Sequence, residues 1–188
     1  AKIRTREASE LIWLLEHPPL YSAGTSAKPE DLIDSHKLPV FKSGRGGQYT
    51  YHGPGQRVAY LMLNLAARSK NGEADLHSFI RSLENWLIMT LKSFGVTGQR
   101  KVGNVGIWVK NSSGQDFKIA SIGIRVRHWV TFHGVSINVD PDLTNFKGIV
   151  PCGVQNSEVT SLSALGLNTS MEEFDKALKR EFLVEFGE

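Results

Sequence analysis

The spacing of apolar and polar positions changes period along this chain. Leu76, Phe79, Ile80, Leu83, Leu87, Leu91 and Phe94 recur at three- and four-residue steps, which places them on one face of a helix. Asp75 stands where an N-cap belongs, and Gly95 lies just past the end. A second helix is expected near the C-terminus. There Ser170-Met171-Glu172-Glu173 has the form of a capping box, and Met171, Phe174, Leu178 and Phe182 make one apolar face. Elsewhere the apolar runs are short and β-like. Leu11–Leu15 reads as a buried strand ended by Pro18-Pro19, Val40–Lys42 as a short strand and Arg57–Leu65 as a longer one. Val105–Val109, Phe117–Val126 and Val130–Val139 follow as successive strands, with the turn Asn111-Ser112-Ser113-Gly114 between the first two. Residues 24–39 are polar with scattered prolines and read as a long irregular excursion. This order predicts an α/β (α+β) fold: a mixed, largely antiparallel sheet flanked by helices, not a repeating βαβ unit.

No repeat, low-complexity tract or Pro/Gly/Ser linker divides the 188 residues, so a single domain over 1–188 is expected, large enough to enclose a core. The net charge of +3 is too weak to argue for nucleic-acid binding, although it suits encounter with an acidic partner. The longest apolar stretch, residues 58–67, is too short to span a bilayer and contains Asn64, so no membrane association is expected. Leu11–Leu15 is also too short for the apolar core of a signal peptide. One cysteine in the whole chain suggests a reducing compartment, and the expected location is cytoplasmic. The chain begins at Ala1 without a methionine, as a chain trimmed upstream would.

Two places carry candidate chemistry. The first is Arg45-Gly46-Gly47-Gln48-Tyr49-Thr50-Tyr51-His52-Gly53-Pro54-Gly55-Gln56, with four glycines in twelve residues. Glycines let a backbone approach a ligand closely, but a β-hairpin with an irregular loop would also accommodate them. The segment lacks the Gly-Lys-Ser/Thr ending of a phosphate loop, so phosphate binding is weakly supported. The second is Cys152, 34 residues after Lys118. A lone thiol cannot form an internal disulfide or a multi-cysteine metal site. It can be a buried small side chain, the commonest fate, or a surface thiol, or a nucleophile. A neighbouring lysine would favour the last, because an ordinary thiol, with a pKa of about 8.5, is only a few per cent ionised at neutral pH. A nearby ammonium lowers that value by about one to two units, and the same lysine could then shuttle protons. A strand lysine is more usually solvated, and spacing alone does not bring the two together.

His52 and His133 each precede a glycine and could approach one cleft or sit hydrogen-bonded in the core. His17, His36, His77 and His128 fall in exposed or helical settings. No histidine pair has metal-ligand spacing, and Asp140-Pro141-Asp142 is not followed by a calcium loop, so no metal is expected.

The block Arg45–Tyr60 resembles, almost position for position, the signature of the lipoyl(octanoyl) transferases, the octanoyl-acyl carrier protein:protein N-octanoyltransferases. Further matches are Lys118-Ile119-Ala120-Ser121-Ile122-Gly123-Ile124-Arg125, Phe132-His133-Gly134-Val135-Ser136-Ile137-Asn138-Val139 and Ile149-Val150-Pro151-Cys152-Gly153, in the family's order and with its Lys118-to-Cys152 spacing. The likeness covers nearly the whole chain, although the family's chains usually begin with another strand and helix before the point where Ala1 stands.

The resemblance implies the catalytic domain shared with biotin and lipoate protein ligases. It assigns the nucleophile to Cys152 and its activation to Lys118. The acyl-binding segments fall on Arg45, Gly46, Gly47, Gln48, Tyr49, Thr50, Tyr51 and His52, on Ser121, Ile122 and Gly123, and on Gly134, Val135 and Ser136, with His133 in support. The implied donor is octanoyl-acyl carrier protein. The implied acceptors are lipoyl domains of 2-oxoacid dehydrogenases and the glycine-cleavage carrier protein. No cofactor is implied, and a monomer is expected. Two rivals remain at this stage: an ATP-dependent lipoate- or biotin-type protein ligase on the same fold, and a non-catalytic acyl-binding module. A thiol hydrolase is a weaker third.

Overall fold

A computed structural model describes residues 2–69, 74–150 and 158–187. Strand β1 (Leu11–Leu15) leads through Pro18-Pro19 into β2 (Leu20–Ala23). A loop with one turn of 3₁₀ helix at Pro29–Asp31 reaches β3 (Val40–Lys42), and the glycine-rich segment runs into β4 (Tyr49–His52) and then β5 (Gln56–Met62). Helices α1 (Leu65–Arg68) and α2 (Leu76–Lys92) follow, then β6 (Gln99–Lys101), β7 (Asn104–Lys110), β8 (Asp116–Arg127) and β9 (Val130–Asn138). A 3₁₀ helix at Leu143–Gly148, strand β10 (Glu158–Val159) and α3 (Met171–Phe186) complete the order.

The strands form two sheets. The larger runs β1-β5-β9-β8-β7-β6, antiparallel throughout, with the short β10 added parallel to β8. The smaller runs β3-β2-β4, parallel on one side of β2 and antiparallel on the other. The architecture is therefore the mixed, largely antiparallel α+β class expected from the sequence. Helices α2 and α3 lie against the large sheet. Leu83, Trp86, Leu87, Leu91, Phe174, Leu178 and Phe182 bury their side chains against Leu61, Ile107, Ile119, Val135 and Ile137. The Trp86 indole closes the layer by donating to the Leu178 carbonyl at 2.7 Å and meeting Phe182 edge-on. Tyr21, Tyr51, Phe146 and Ile149 make a separate small core around the second sheet. Among the described residues, no helix is long and apolar enough to cross a membrane.

Both long helices start where the sequence places them. Asp75 accepts from the amides of His77 and Ser78, and Ser170 and Glu173 form the reciprocal capping box. Two expectations change, and one alternative falls away. Leu11–Leu15 is an edge strand, not a buried one: among the described residues it pairs with β5 alone, and Leu11 and Trp13 are about half exposed. The strand drawn as Arg57–Leu65 stops at Met62, because Asn64 turns to cap α1 by accepting from the Ala67 amide. The glycine-rich block is not a hairpin either. Its β4 and β5 are adjacent in sequence yet belong to different sheets, so Gly53–Gly55 carries the chain from one layer to the other.

Candidate active site

The two sheets enclose a cavity of about 510 Å³, within the range of about 300–1,000 Å³ usual for ligand pockets. Strand periodicity decides which residues reach it. Along β5, Ala59 and Leu61 face the helices while Val58 and Tyr60 line the cavity; along β8, Ile119 faces the helices and Lys118 the cavity. The pairing of β7 with β8 ends at Ala120, whereas β9 continues along β8 to Arg127. Beyond Ala120 the opposite edge of β8 is met by the glycine-rich loop, with Gly46 against the Ile124 carbonyl. This split in the sheet is what brings Ser121, Ile122 and Gly123 to the cavity wall.

Lys118 is only 4% exposed, and its Nζ donates to the Val105 carbonyl at 2.9 Å and lies 5.3 Å from the centroid of the Trp108 ring. Burying an amine without polar contacts costs several kcal/mol, so these contacts decide whether the residue can sit here at all. Room for it comes from Gly106. A Cβ there would stand 2.7 Å from Lys118 Cε and 2.5 Å from the Ala120 carbonyl oxygen, and Gly106 has a φ of +121°. The register between β7 and β8 shifts at Ile107–Trp108, beside this glycine, and turns the Val105 carbonyl toward the lysine.

Of the other expected site residues, Arg45, Gly47, Gln48, Tyr49, Thr50, His52, Ser121, Ile122, Gly123, His133, Gly134, Val135 and Ser136 line the same cavity as Lys118. Tyr51 does not: its ring is fully buried between Tyr21 and Phe146, on the far side of β4. Gly46 backs the wall against β8 without lining it. Cys152 lies outside the described residues, as do Pro151 and Gly153. Arg45 takes a partly structural part. Its guanidinium donates to the carbonyls of Ser22, Gly46 and Gln48 and to the Ser22 hydroxyl, pinning the glycine-rich loop to β2. The amide oxygen of Gln48 is buried with no hydrogen-bond partner among the described residues, an acceptor suited to a donor on a ligand.

Three histidines gather at the polar end. His17, expected to be exposed, lines the cavity, hydrogen-bonds the Tyr60 hydroxyl at 2.6 Å and lies 5.5 Å from the His52 ring. Its neighbours Pro18-Pro19, which fix the backbone, were the available sequence signal; Tyr60 was signalled by its two-residue step from Val58. His133 packs edge-on to Tyr60 and has a φ of +61°, a conformation that costs a non-glycine residue about 1–3 kcal/mol and tends to mark functional sites. Burial holds His17 and His133 below the ordinary histidine range, with the positive charges of Arg45 and Arg125 adding to the effect at His133. Burial pushes His52 down to about 4, against a partial opposing pull from its hydrogen bond to Gln56. All three rings are therefore neutral at pH 7. None of the described residues lining the cavity is acidic, and among the described residues no group of three or more His, Cys, Asp or Glu could hold a metal.

The lipoyl protein ligase A/B catalytic domain family model matches residues 1–183. An octanoyltransferase of Paramagnetospirillum magneticum is 58% identical over all of this chain and 86% of its own length. One from Rhodospirillum rubrum is 54% identical, with coverage of 100% and 85%. Among solved structures, a lipoate-protein ligase A bound with ATP superposes with a TM-score of 0.76 at 16% identity, covering 97% of this chain and 76% of that one. A biotin protein ligase from Aquifex aeolicus in complex with biotin and ATP reaches 0.56 at 13% identity, covering 89% and 69%. At such identities these two structures establish the fold alone.

Two outcomes follow from the site geometry. Gly106→Ala should destabilise the protein by about 1–3 kcal/mol in urea titrations, since the new methyl strains a positive-φ position and strikes the Lys118 side chain. A Gly106→Ala protein as stable as wild type would contradict this packing. The second concerns pH. A histidine whose folded value is depressed from 6.5 to about 4 binds its proton more readily when unfolded, so its contribution is complete above 6.5 and lost as pH falls toward 4. The loss from His52 should reach roughly 3 kcal/mol, should be absent from the pH dependence of His52→Phe, and should therefore appear in the wild-type-minus-variant difference. Urea midpoints at pH 7, 5.5 and 4.5 measure it.

Proposed function

This chain belongs to the lipoyl protein ligase A/B catalytic domain family, and from that premise we propose a reaction in which an octanoyl group passes through a cysteine thioester to a protein lysine. The protein is an acyltransferase of protein lipoylation, as its full-length similarity to octanoyltransferases supports. The donor is octanoyl-acyl carrier protein, and the acceptors are lipoyl domains of 2-oxoacid dehydrogenases and the glycine-cleavage carrier protein. It works as one catalytic domain over residues 1–188, as a monomer in the cytoplasm.

Cys152 thiolate attacks the thioester carbonyl, the carrier thiol leaves, and an acyl-enzyme remains. The acceptor ε-amine then attacks that thioester, an amide forms, and Cys152 is released as the thiol. Lys118 takes the proton from Cys152 and gives it to the departing carrier thiolate, then takes a proton from the incoming amine and returns it to the Cys152 thiolate as the amide forms. The observation that carries this reading is the buried Lys118, opening into a cavity whose described lining holds neutral histidines, glycines and apolar side chains but no carboxylate. The chain after Cys152 returns to that lysine. Val159, seven residues on, pairs with Lys118, and the Thr160 amide donates to the Lys118 carbonyl at 2.9 Å. The acyl chain lies along Val58, with the backbones of Gly47, Gly123 and Gly134 as its walls. Gly134 is required here because a Cβ would collide with the Ala59 carbonyl of the paired strand. Transfer from a thioester to an amine is downhill and needs neither cofactor nor ATP.

Intact-protein mass spectrometry after mixing with octanoyl-acyl carrier protein tests this. An added octanoyl mass should map to Cys152, disappear when acceptor domain is supplied without ATP, and fail to form in Cys152→Ser. Transfer from free octanoate that depends on ATP, with Cys152→Ser fully active, would replace the reading with that of a ligase.

A further inference from the structure

One face of the cavity is held by a hydrogen-bond chain whose direction can be read from its two ends. At one end Arg45, which can only donate, gives Nε and Nη2 protons to Ser22 Oγ at 3.1 and 3.0 Å. Ser22 therefore has its own hydroxyl proton to give, and it faces His52 Nε2 at 3.1 Å. At the other end the Thr160 carbonyl, which can only accept, takes a proton from Asn138 Nδ2 at 2.9 Å. That fixes the Asn138 amide so that Oδ1 accepts from Gln56 Nε2 at 2.9 Å, while the same nitrogen also donates to the Tyr51 carbonyl. Gln56 Oε1 is then an acceptor, facing His52 Nδ1 at 2.7 Å. Both ends impose the same answer on the ring between them: Nδ1 carries the proton and Nε2 offers its lone pair.

We propose that His52 is a positioning residue: held as the neutral Nδ1–H tautomer, it is the joint of a one-way relay, Arg45→Ser22→His52→Gln56→Asn138→Thr160, that locks the glycine-rich wall of the acyl cavity to the chain beside Lys118. The relay crosses every layer of the site. Arg45 and Ser22 belong to the small-sheet side, Gln56 and Asn138 to β5 and β9, and Thr160 donates its own amide to the Lys118 carbonyl. Ser22, Gln56, Asn138 and Thr160 are all buried, so water does not readily replace a broken link. A second proton on His52 would set an N–H against the Ser22 hydroxyl and reverse the chain at its centre. The charged and titratable groups acting on the ring, Arg45 and His17, also disfavour that proton.

The inference rests on the transferase reading for its effect on activity but not for the tautomer, so the two can fail separately. Long-range proton–nitrogen NMR of histidine-labelled protein reads the His52 ring directly. The expected result is a protonated Nδ1 and a bare Nε2 at pH 7, with titration well below the ordinary histidine range; an Nε2–H tautomer or a cationic ring at pH 7 overturns the relay. Gln56 and Asn138 do not line the cavity, so Gln56→Leu and Asn138→Leu reach substrate only through the relay. Each should raise KM for octanoyl-acyl carrier protein by about tenfold with kcat changed far less, the orientational value of roughly one lost hydrogen bond. Parameters per folded molecule equal to wild type in both variants would overturn it. Should wild type show no octanoyl transfer, the function is wrong, and the NMR spectrum still decides the relay.

Discussion

The structure depends on keeping the amine of Lys118 buried at the meeting point of three strands. Its hydrogen bond to the Val105 carbonyl and its place beside the Trp108 ring are possible because β7 shifts register next to a glycine at 106. β8 is clamped by β7 on one edge as far as Ala120, and by β10 and then β9 on the other. The lysine nitrogen is therefore set by backbone geometry, with little freedom left to its own long side chain. Such a position suits a group that must act on a proton at one fixed point.

The wall of the cavity is mostly apolar, with polar side chains gathered at one end, and carries no negative charge among the described residues. Arg45 is largely spent on the carbonyls of its own loop and on Ser22, and its charge helps keep His52 and His133 unprotonated. The result is a pocket without a carboxylate among its described lining, beside a buried lysine nitrogen. The glycine-rich loop, the small sheet and the large sheet are three separate pieces of chain, and the hydrogen bonds from Arg45 through His52 to Asn138 hold them in one geometry.

Much of this could be read in the residues, for identifiable reasons. Helices α2 and α3 announce themselves through period and caps, because both signals are local. Lys118 and most of the glycine-rich block, singled out through the motif resemblance, line one cavity, since a motif carries three-dimensional information that spacing lacks. What escaped was set by non-local pairing. Strands β2, β4, β6 and β10 have two to four residues each, too short for a period to show, and Leu11–Leu15 looked buried because an edge strand has the same composition as a central one. Tyr51 was grouped with its neighbours as a site residue, yet strand alternation turns it into the second core. His17 was passed over because no local pattern shows that β2 and β5 bring it to Tyr60 and His52.

The most direct measurement concerns the lone thiol, whose uniqueness makes the readout unambiguous. Alkylation of Cys152 by iodoacetamide, followed across pH in wild type and in Lys118→Met, reports its ionisation. If Lys118 activates it, the wild-type midpoint lies about one to two units below the usual 8.5 and rises to that value or above in the variant. Identical midpoints near 8.5 in both proteins would contradict the account.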